Sequence, residues 1–182
     1  MTHHRDHSPD HLVLMGVAGS GKTTLAGVLA ERLGWTVAEA DEFHPAANVA
    51  KMAAGTPLDD DDREPWLASI RTWMDDRHAA GDTTVLTCSA LRRRYRDALR
   101  QAGGRVVFVH LSGSRDLVAE RMAGRTGHFM PPALLPSQFS TLEPLADDED
   151  GATLDIGATP DDLATAVLDR FALTPTPSRS TR

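Results

Sequence analysis

The fold is decided by one stretch, Gly16-Val17-Ala18-Gly19-Ser20-Gly21-Lys22-Thr23, which fits the pattern G-x-x-x-x-G-K-[ST] in full. This stretch follows an apolar run over 12–17 and opens an amphipathic run over 22–33, which is the strand-loop-helix context that the pattern needs. Its glycines let the backbone curl until N–H groups point at phosphate oxygens, and the helix adds the positive end of its dipole. The stretch therefore predicts a phosphate-binding loop, called the phosphate loop below.

The chemistry of such a loop predicts what its residues do. Lys22 is expected to reach the β- and γ-phosphates of ATP, and the Thr23 hydroxyl is expected to hold Mg²⁺. All eight residues of the loop, together with Thr24, are candidate ATP-binding residues. A glycine turn that matches the pattern by chance is disfavoured because both flanks are also correct.

Short apolar runs alternate with amphipathic stretches along the rest of the chain. The predicted strands are 12–17, 36–40, 83–88, 105–111 and 153–156. The predicted helices are 22–33, 45–54, 63–80, 91–102, 114–125 and 160–171. Mostly continuous apolar strands separated by helices are typical of a parallel sheet that is covered on both faces. We therefore predict an α/β fold with three αβα layers around a five-stranded parallel sheet.

The length of 182 residues predicts a single domain. We place this domain at 11–173, between a polar arm over 1–10 and a Pro-, Ser- and Thr-rich tail over 174–182. Both ends are expected to be disordered, because neither can bury an apolar face. Two inserts interrupt the alternation, a helical acceptor-binding insert at about 43–66 and a short lid at about 126–145. Ligands of such sheets bind beyond the carboxyl ends of the strands, where both inserts can lie.

The net charge is −7, from 19 Lys and Arg against 26 Asp and Glu. This balance argues against nucleic acid as a partner, since affinity for it comes largely from basic residues that neutralise phosphates. The one cysteine, Cys88, excludes a disulfide framework and suits a reducing compartment. The longest apolar run is too short to cross a bilayer and no secretory leader precedes it, so we expect a cytoplasmic protein without a membrane partner.

The phosphate loop alone does not distinguish a kinase from an ATPase, a GTPase or a binding protein. The two apolar strands that could carry a magnesium-binding acid run into Ser89 and Ser112, and no N-K-x-D motif is present, which disfavours a GTPase. Asp41 is the acid available at a strand end. It is our candidate for orienting an attacking hydroxyl and accepting its proton, or alternatively for holding Mg²⁺ through water. The structural alternative is a turn or helix-capping aspartate.

Three further blocks carry a resemblance to a known family. They are Asp41-x-x-His44-Pro45-x-x-Asn48-x-x-Lys51-Met52-x-x-Gly55-x-Pro57-Leu58-x-Asp60-Asp61-Asp62-Arg63-x-Pro65-Trp66-Leu67, Cys88-Ser89-Ala90-Leu91-x-x-x-Tyr95-Arg96-Asp97-x-Leu99-Arg100, and Gly127-His128-Phe129-Met130 followed by Ser137-Gln138-Phe139-x-x-Leu142-Glu143-Pro144. Together with the phosphate loop they resemble the P-loop gluconokinases over about 12–171.

This resemblance implies a nucleoside-monophosphate-kinase-like P-loop fold and, commonly, a homodimer. It also implies transfer of the ATP γ-phosphoryl group to the terminal hydroxyl of D-gluconate. Two interpretations compete with it: another small-acceptor kinase of the same fold, directed at shikimate or a nucleotide, and a non-catalytic ATP-binding regulator.

A sugar acid needs carboxylates to accept hydrogen bonds from its hydroxyls and a cation to bind its own carboxylate. Arg63 is the first candidate for that cation and Lys51 the second, unless they are surface residues or pair with the acidic run over 59–62. That run is either a solvated face or, in part, the cap of the helix after it. His44 either lines the substrate pocket or serves as a turn residue.

The end of the third predicted strand contributes a second group of candidates. Ser89 and Ala90 can offer backbone N–H groups to the substrate, whereas Cys88 beside them is predicted to be a buried packing residue. Arg96 is either directed at the site or an exposed helix charge.

Arg121 and Arg125 are four residues apart, on one helix face, just before the predicted lid. They resemble the lid entrance of small kinases, in which one arginine lies near adenine and the other meets the transferring phosphoryl group. We assign Arg121 to ATP binding and Arg125 to catalysis on that basis. His128 is predicted to contact the pocket from the lid, and Gln138 to contact the substrate.

Overall fold

The computed structural model describes residues 8–124 and 132–176. Its centre is a five-stranded sheet whose strands all run parallel, in the order β2-β3-β1-β4-β5. The strands are β1 (His11–Met15), β2 (Thr36–Glu39), β3 (Thr84–Thr87), β4 (Val106–Ser112) and β5 (Gly151–Asp155). The predicted five-stranded parallel sheet is confirmed.

Seven α-helices and two short 3₁₀ turns, Ala40–Phe43 and Pro132–Leu134, are found in the described ranges. The helices are α1 (Lys22–Leu33), α2 (Ala46–Ala53), α3 (Asp60–Ala79), α4 (Arg93–Leu99), α5 (Arg115–Ala123), α6 (Leu135–Thr141) and α7 (Pro160–Arg170). Helix α6 lies in the predicted lid insert and is not predicted from the sequence. It holds a proline and three hydroxylated residues, which favour caps and turns over helix interiors.

The two faces of the sheet carry separate cores. Along β1, Leu12 and Leu14 face one core with α1 and α7, whereas Val13 and Met15 face a second core with α3 and α4. This alternation follows from the two-residue period of a strand. Because both faces are covered, all five residues of β1 are buried, and the three-layer αβα arrangement is confirmed.

The acidic run over 59–62 starts helix α3. The Asp59 side chain accepts a hydrogen bond from the Asp62 backbone N–H at 2.8 Å, and the Asp62 carboxylate accepts one from the Asp59 N–H at 3.0 Å. This reciprocal capping box starts the helix three residues before the predicted Arg63. The capping alternative for the run is therefore confirmed.

Arg96 on α4 is a buried structural residue, so both predictions for it are wrong. Its guanidinium binds both carboxylate oxygens of Glu149, at 2.7 and 2.6 Å, and donates to the Ala90 carbonyl at 3.0 Å. Arg100 adds a second cation to Glu149 at 2.6 Å. These hydrogen bonds lower the pKa of Glu149 to about 2, although burial by itself would raise it. The pattern of Arg96 on an amphipathic helix does not reveal a carboxylate 53 residues further along the chain.

Hydrogen bonds of the described residues extend slightly past the predicted domain boundaries at both ends. The Asp10 backbone N–H donates to the Arg105 carbonyl at 2.9 Å, and the Thr176 N–H donates to the Arg32 carbonyl at 2.8 Å. Residues 1–7 and 177–182 lie outside the described residues. No helix in the described ranges is long and apolar enough to cross a membrane.

Candidate active site

The phosphate loop connects β1 to α1 with a backbone that only glycine can follow. Gly16 has φ +143°, and a Cβ there would lie 2.8 Å from the Leu111 carbonyl oxygen. Gly19 has φ +78°, and a Cβ there would lie 2.5 Å from Cγ of Met122. The Gly16 N–H also donates to the Ser89 carbonyl at 3.2 Å, which fastens the loop to the end of β3.

Lys22 lies folded over this loop. Its Nζ donates to the carbonyls of Gly16 at 3.0 Å and Val17 at 2.9 Å. Burial lowers the pKa of Lys22, and the negative charge of Asp41 partly offsets that effect. The ammonium group is thus held at the loop within the electrostatic reach of Asp41.

A cavity of about 420 Å³ opens beside the loop, within the usual size range of small-molecule sites. Ten of the residues predicted from the sequence line it: Ala18, Gly19, Gly21, Lys22, Thr23, Asp41, His44, Arg63, Ser89 and Gln138. Seven others among the described residues do not line it: Gly16, Val17, Ser20, Thr24, Lys51, Ala90 and Arg121. Residues from the loop, from β2, β3 and α3, and from the lid insert therefore meet at one cavity.

Asp41 lies in the 3₁₀ turn after β2 and is not a helix cap. Partial desolvation raises the pKa of its carboxyl, Lys22 acts in the opposite direction, and Glu39 raises the pKa further. Its side chain is 62% exposed, so water screens these influences. An exposed carboxylate near the phosphate loop is accessible to a substrate hydroxyl.

His44 has a structural role and also lines the cavity. Its ring stacks on Trp66 with centroids 4.4 Å apart and planes 12° apart, and Trp66 Nε1 donates to the Ala40 carbonyl at 2.7 Å. Burial, followed by the charge of Arg63, lowers the pKa of His44 to about 4. The imidazole is therefore neutral at physiological pH and can donate one hydrogen bond and accept another without adding positive charge.

Arg63 and Lys51, the predicted carboxylate-binding cations, are differently placed. Lys51 pairs with Asp62 at 2.7 and 2.8 Å, which is the alternative stated for it, and does not line the cavity. Arg63 does line the cavity, but its NH1 donates to the carbonyls of Leu58 and Asp59 and to the Tyr95 hydroxyl. Arg63 therefore ties the start of α3 to α4.

The predicted residues that follow β3 differ in whether they line the cavity or lie in the core. Ser89 lines the cavity, whereas Ala90 is fully buried with φ +42° and faces Arg96 through its carbonyl. Cys88 is 2% exposed, and burial raises the pKa of its thiol to about 12. Its prediction as a packing residue is confirmed, and it also forms part of the cavity wall.

Gln138 on α6 contacts the phosphate loop directly. Its Oε1 accepts a hydrogen bond from the Ala18 backbone N–H at 2.7 Å, and the residue also lines the cavity. Since Ala18 belongs to the phosphate loop, this bond joins the lid insert to it.

One of the two lid arginines, Arg121, lies within the described residues. Arg121 donates from NH2 to the Ile156 carbonyl, in the loop after β5 that resembles the adenine-bordering loop of small kinases. Arg125 and His128 lie outside the described residues.

Known proteins are similar to this chain over most of its length. The family described as an AAA domain matches residues 12–145. A gluconokinase from Gluconobacter oxydans is 51% identical over 152 residues, covering 82% of this chain and 85% of the relative. The chain belongs to the gluconokinase family.

Solved structures agree with this assignment. A crystal structure of a gluconokinase from Sinorhizobium meliloti has a TM-score of 0.80 and 43% identity, covering 90% of this chain and 92% of that one. The crystal structure of a sugar kinase from Janibacter has a TM-score of 0.87 and 48% identity, and the match covers 94% of this chain and 98% of that one. The resemblance read from the sequence, the fold and the kinase class are confirmed, and the chain is an ATP-dependent kinase of the gluconokinase family.

In this gluconokinase-family cavity, sequence reasoning missed several wall residues. Glu39 accepts a hydrogen bond from Thr87 Oγ1, Tyr95 donates to Asp60 at 2.6 Å, and Arg92 also lines the cavity. Tyr95 stands in the quoted block, but Arg92 falls at one of its unspecified positions, and Glu39 lies inside the predicted strand 36–40, whereas β2 ends at Glu39 in the structure. Only the pairing of β2 with β3 brings Glu39 and Thr87 together.

Proposed function

We propose that this protein transfers the γ-phosphoryl group of ATP to the terminal hydroxyl of D-gluconate, forming 6-phospho-D-gluconate and ADP. The observation that carries the proposal is the shared cavity. In a chain of the gluconokinase family, one space is lined by the phosphate loop and by carboxylate, imidazole and hydroxyl groups that suit a polyol.

The reaction joins the terminal hydroxyl oxygen to the γ-phosphorus while the bond from that phosphorus to the ADP oxygen breaks. Asp41 orients the hydroxyl and accepts its proton, and its exposed carboxylate beside Lys22 supports this role. Lys22 stabilises the charge of the transferring group. Arg125 would add charge as the lid closes and excludes water, which is the competing acceptor.

The residues at the loop fit a magnesium ion. The Thr23 hydroxyl and the Asp41 carboxylate line the same cavity and are hard oxygen donors, which Mg²⁺ prefers. Bound there with ATP, the ion would neutralise phosphate charge. Arg121, next to the loop after β5, would contact the adenine side of ATP.

The remaining cavity residues would bind the acceptor. His44, held flat against Trp66, and Ser89 are suited to hydrogen-bond substrate hydroxyls. Gln138 would contact the substrate while bound to the phosphate loop, and His128 would contact it from the lid. Ala90 and Lys51 hold neighbouring structure instead, through Arg96 and Asp62.

Two further parts of the proposal concern the whole protein. We propose a homodimer, which the family resemblance supports, and a cytoplasmic location, which the single buried thiol supports. Light scattering on the purified protein tests the first, and fractionation of the source cells tests the second.

A panel of acceptors tests the activity. ADP release is measured with D-gluconate, shikimate and a nucleoside monophosphate at equal concentrations. We expect gluconate to be the preferred acceptor. Turnover of another acceptor without gluconate would make the protein a different small-acceptor kinase, and tight ATP binding without any turnover would make it a regulator.

A further inference from the structure

The carboxylate of a sugar acid requires a cation in the cavity, and the described wall holds three cationic side chains: Lys22, Arg63 and Arg92. His44 is excluded because its pKa of about 4 leaves it neutral. Lys22 is folded onto the phosphate loop, where the ATP phosphates bind. The choice is therefore between Arg63 and Arg92.

The Arg63 side chain already makes hydrogen bonds within the protein. Its guanidinium donates to two backbone carbonyls and to the Tyr95 hydroxyl, at 3.3 Å for the last, and lies 5.3 Å from the centre of the Tyr95 ring. All three bonds come from NH1, so a carboxylate bound across NH1 and NH2 would displace some of them, whereas one bound across Nε and NH2 would share a guanidinium that already holds the wall. Arg63 thus has a structural task that any ligand contact would add to.

Arg92 has no such commitment. Within the ranges 8–124 and 132–176 its side chain has no hydrogen bond or ion pair, although it is only partly exposed. Its neighbours on α4 all have carboxylate partners: Arg93 pairs with Asp148, Arg94 with Asp60, and Arg96 with Glu149. Of the two arginines on the cavity wall, Arg92 is thus the one whose side chain has no hydrogen-bond partner among the described residues.

The position of Arg92 fits a binding role. It is the N-cap residue of α4, in extended conformation with φ −109° and ψ 145°, and its side chain makes no capping bond. After larger effects from Tyr95, desolvation and Arg94, Arg92 also lowers the pKa of the Asp60 carboxyl, and it forms no ion pair with that carboxyl. The guanidinium is therefore available to a ligand without loss of a structural bond.

We propose that Arg92 binds the carboxylate of the acceptor and so determines the preference of this enzyme for a sugar acid. This inference rests on the proposed function and assigns its carboxylate contact to a residue that the sequence pattern leaves unspecified. A planar guanidinium can meet a carboxylate with two parallel hydrogen bonds, which gives orientation as well as affinity.

The test compares Arg92→Gln and Arg92→Lys with Arg93→Ala as the matched control. Arg93 is the adjacent arginine, is paired with Asp148, and does not line the cavity. For Arg92→Gln we expect the gluconate KM to rise about 10- to 100-fold, since a hydrogen bond between charged groups is lost, while the ATP KM changes less than about threefold. The gluconate KM of Arg92→Lys should lie between those of the wild type and Arg92→Gln, because lysine keeps the positive charge but not the planar guanidinium.

D-glucitol, which has the same polyol chain without the carboxylate, separates charge recognition from general damage. Its inhibition constant against gluconate should be similar in the wild type and in Arg92→Gln. A gluconate KM in Arg92→Gln equal to that of Arg93→Ala would overturn the inference. So would an equal loss of affinity for gluconate and for glucitol in Arg92→Gln. Both outcomes would leave the proposed gluconokinase activity intact. A wild-type enzyme that fails to phosphorylate gluconate would overturn the proposed function and this inference with it.

Discussion

The buried Glu149 carboxylate is expected to contribute more to stability than any surface ion pair of this protein. Its side chain is 1% exposed and accepts hydrogen bonds from Arg96 and Arg100. A pKa that falls from 4.5 to about 2 corresponds to about 3 kcal/mol of stabilisation at neutral pH. Because the folded-state pKa is depressed, this contribution is present above about pH 4.5 and is lost as the pH falls towards 2.

The substitution Glu149→Gln keeps the shape of the side chain and leaves Arg96 buried without a counter-charge. We expect the free energy of unfolding at pH 7 to fall by about 3–5 kcal/mol. The melting temperature should then fall by about 6–20 °C for a chain of this size. Urea unfolding followed by tryptophan fluorescence measures the first quantity, and calorimetry the second.

The control for this experiment is Asp148→Asn, which breaks the exposed ion pair with Arg93 next to Glu149. Surface pairs contribute about 0–1 kcal/mol, so this variant should remain close to the wild type. The difference between the wild type and Glu149→Gln should also narrow below pH 4.5. The reasoning would be refuted if Glu149→Gln lost no more unfolding free energy than Asp148→Asn. It would also be refuted if the stability difference between the wild type and Glu149→Gln did not change with pH.

Two further predictions concern the chemical step. Lys22→Ala should lower kcat about 10²- to 10³-fold, because a cation that stabilises the transferring group is removed, and near-normal turnover would contradict the assignment of the phosphate loop. Asp41→Asn should lower kcat about 10²- to 10⁴-fold with little change in the magnesium concentration needed for half-maximal activity, and a large change in that concentration would instead make Asp41 a metal ligand. In the wild type, activity should fall as the pH drops through the raised pKa of Asp41, and this fall should be absent in Asp41→Asn.

The net charge of −7 is explained largely by two short acidic runs whose role is structural. The acidic runs over 59–62 and 147–150 hold eight of the 26 acidic residues. Most of these acids have partners: Asp60 pairs with Arg94, Asp62 with Lys51, Asp148 with Arg93, Glu149 with Arg96 and Arg100, and Asp150 with Arg105. Most of this acidity therefore pairs with basic residues that hold α3, α4 and the loop before β5, although Asp59 and Asp60 also line the cavity.

The sequence predicted the features that depend on near neighbours. The phosphate loop and the helix that follows it each rest on residues within a few positions of one another. The five strands were also predictable, because strands covered on both faces need continuous apolar runs. Helix α6 was missed because its fourth residue, Gln138, and its neighbours are stabilised by packing on the phosphate loop rather than by helix propensity.

Features that depend on distant residues needed the tertiary structure. Arg63 and Arg96 stand in the quoted blocks of sequence and Arg92 falls inside one of them, and nothing local distinguishes a wall support from an unpaired cation or a buried ion pair. Their different roles arise because Tyr95, Glu149 and the backbone carbonyls near them occupy two of the three guanidinium groups. The sequence by itself determined that this protein binds a nucleotide phosphate on a parallel α/β sheet; which arginine is available to the acceptor was decided by packing, since charge pairing across the fold depends on distance in space and not on spacing along the chain.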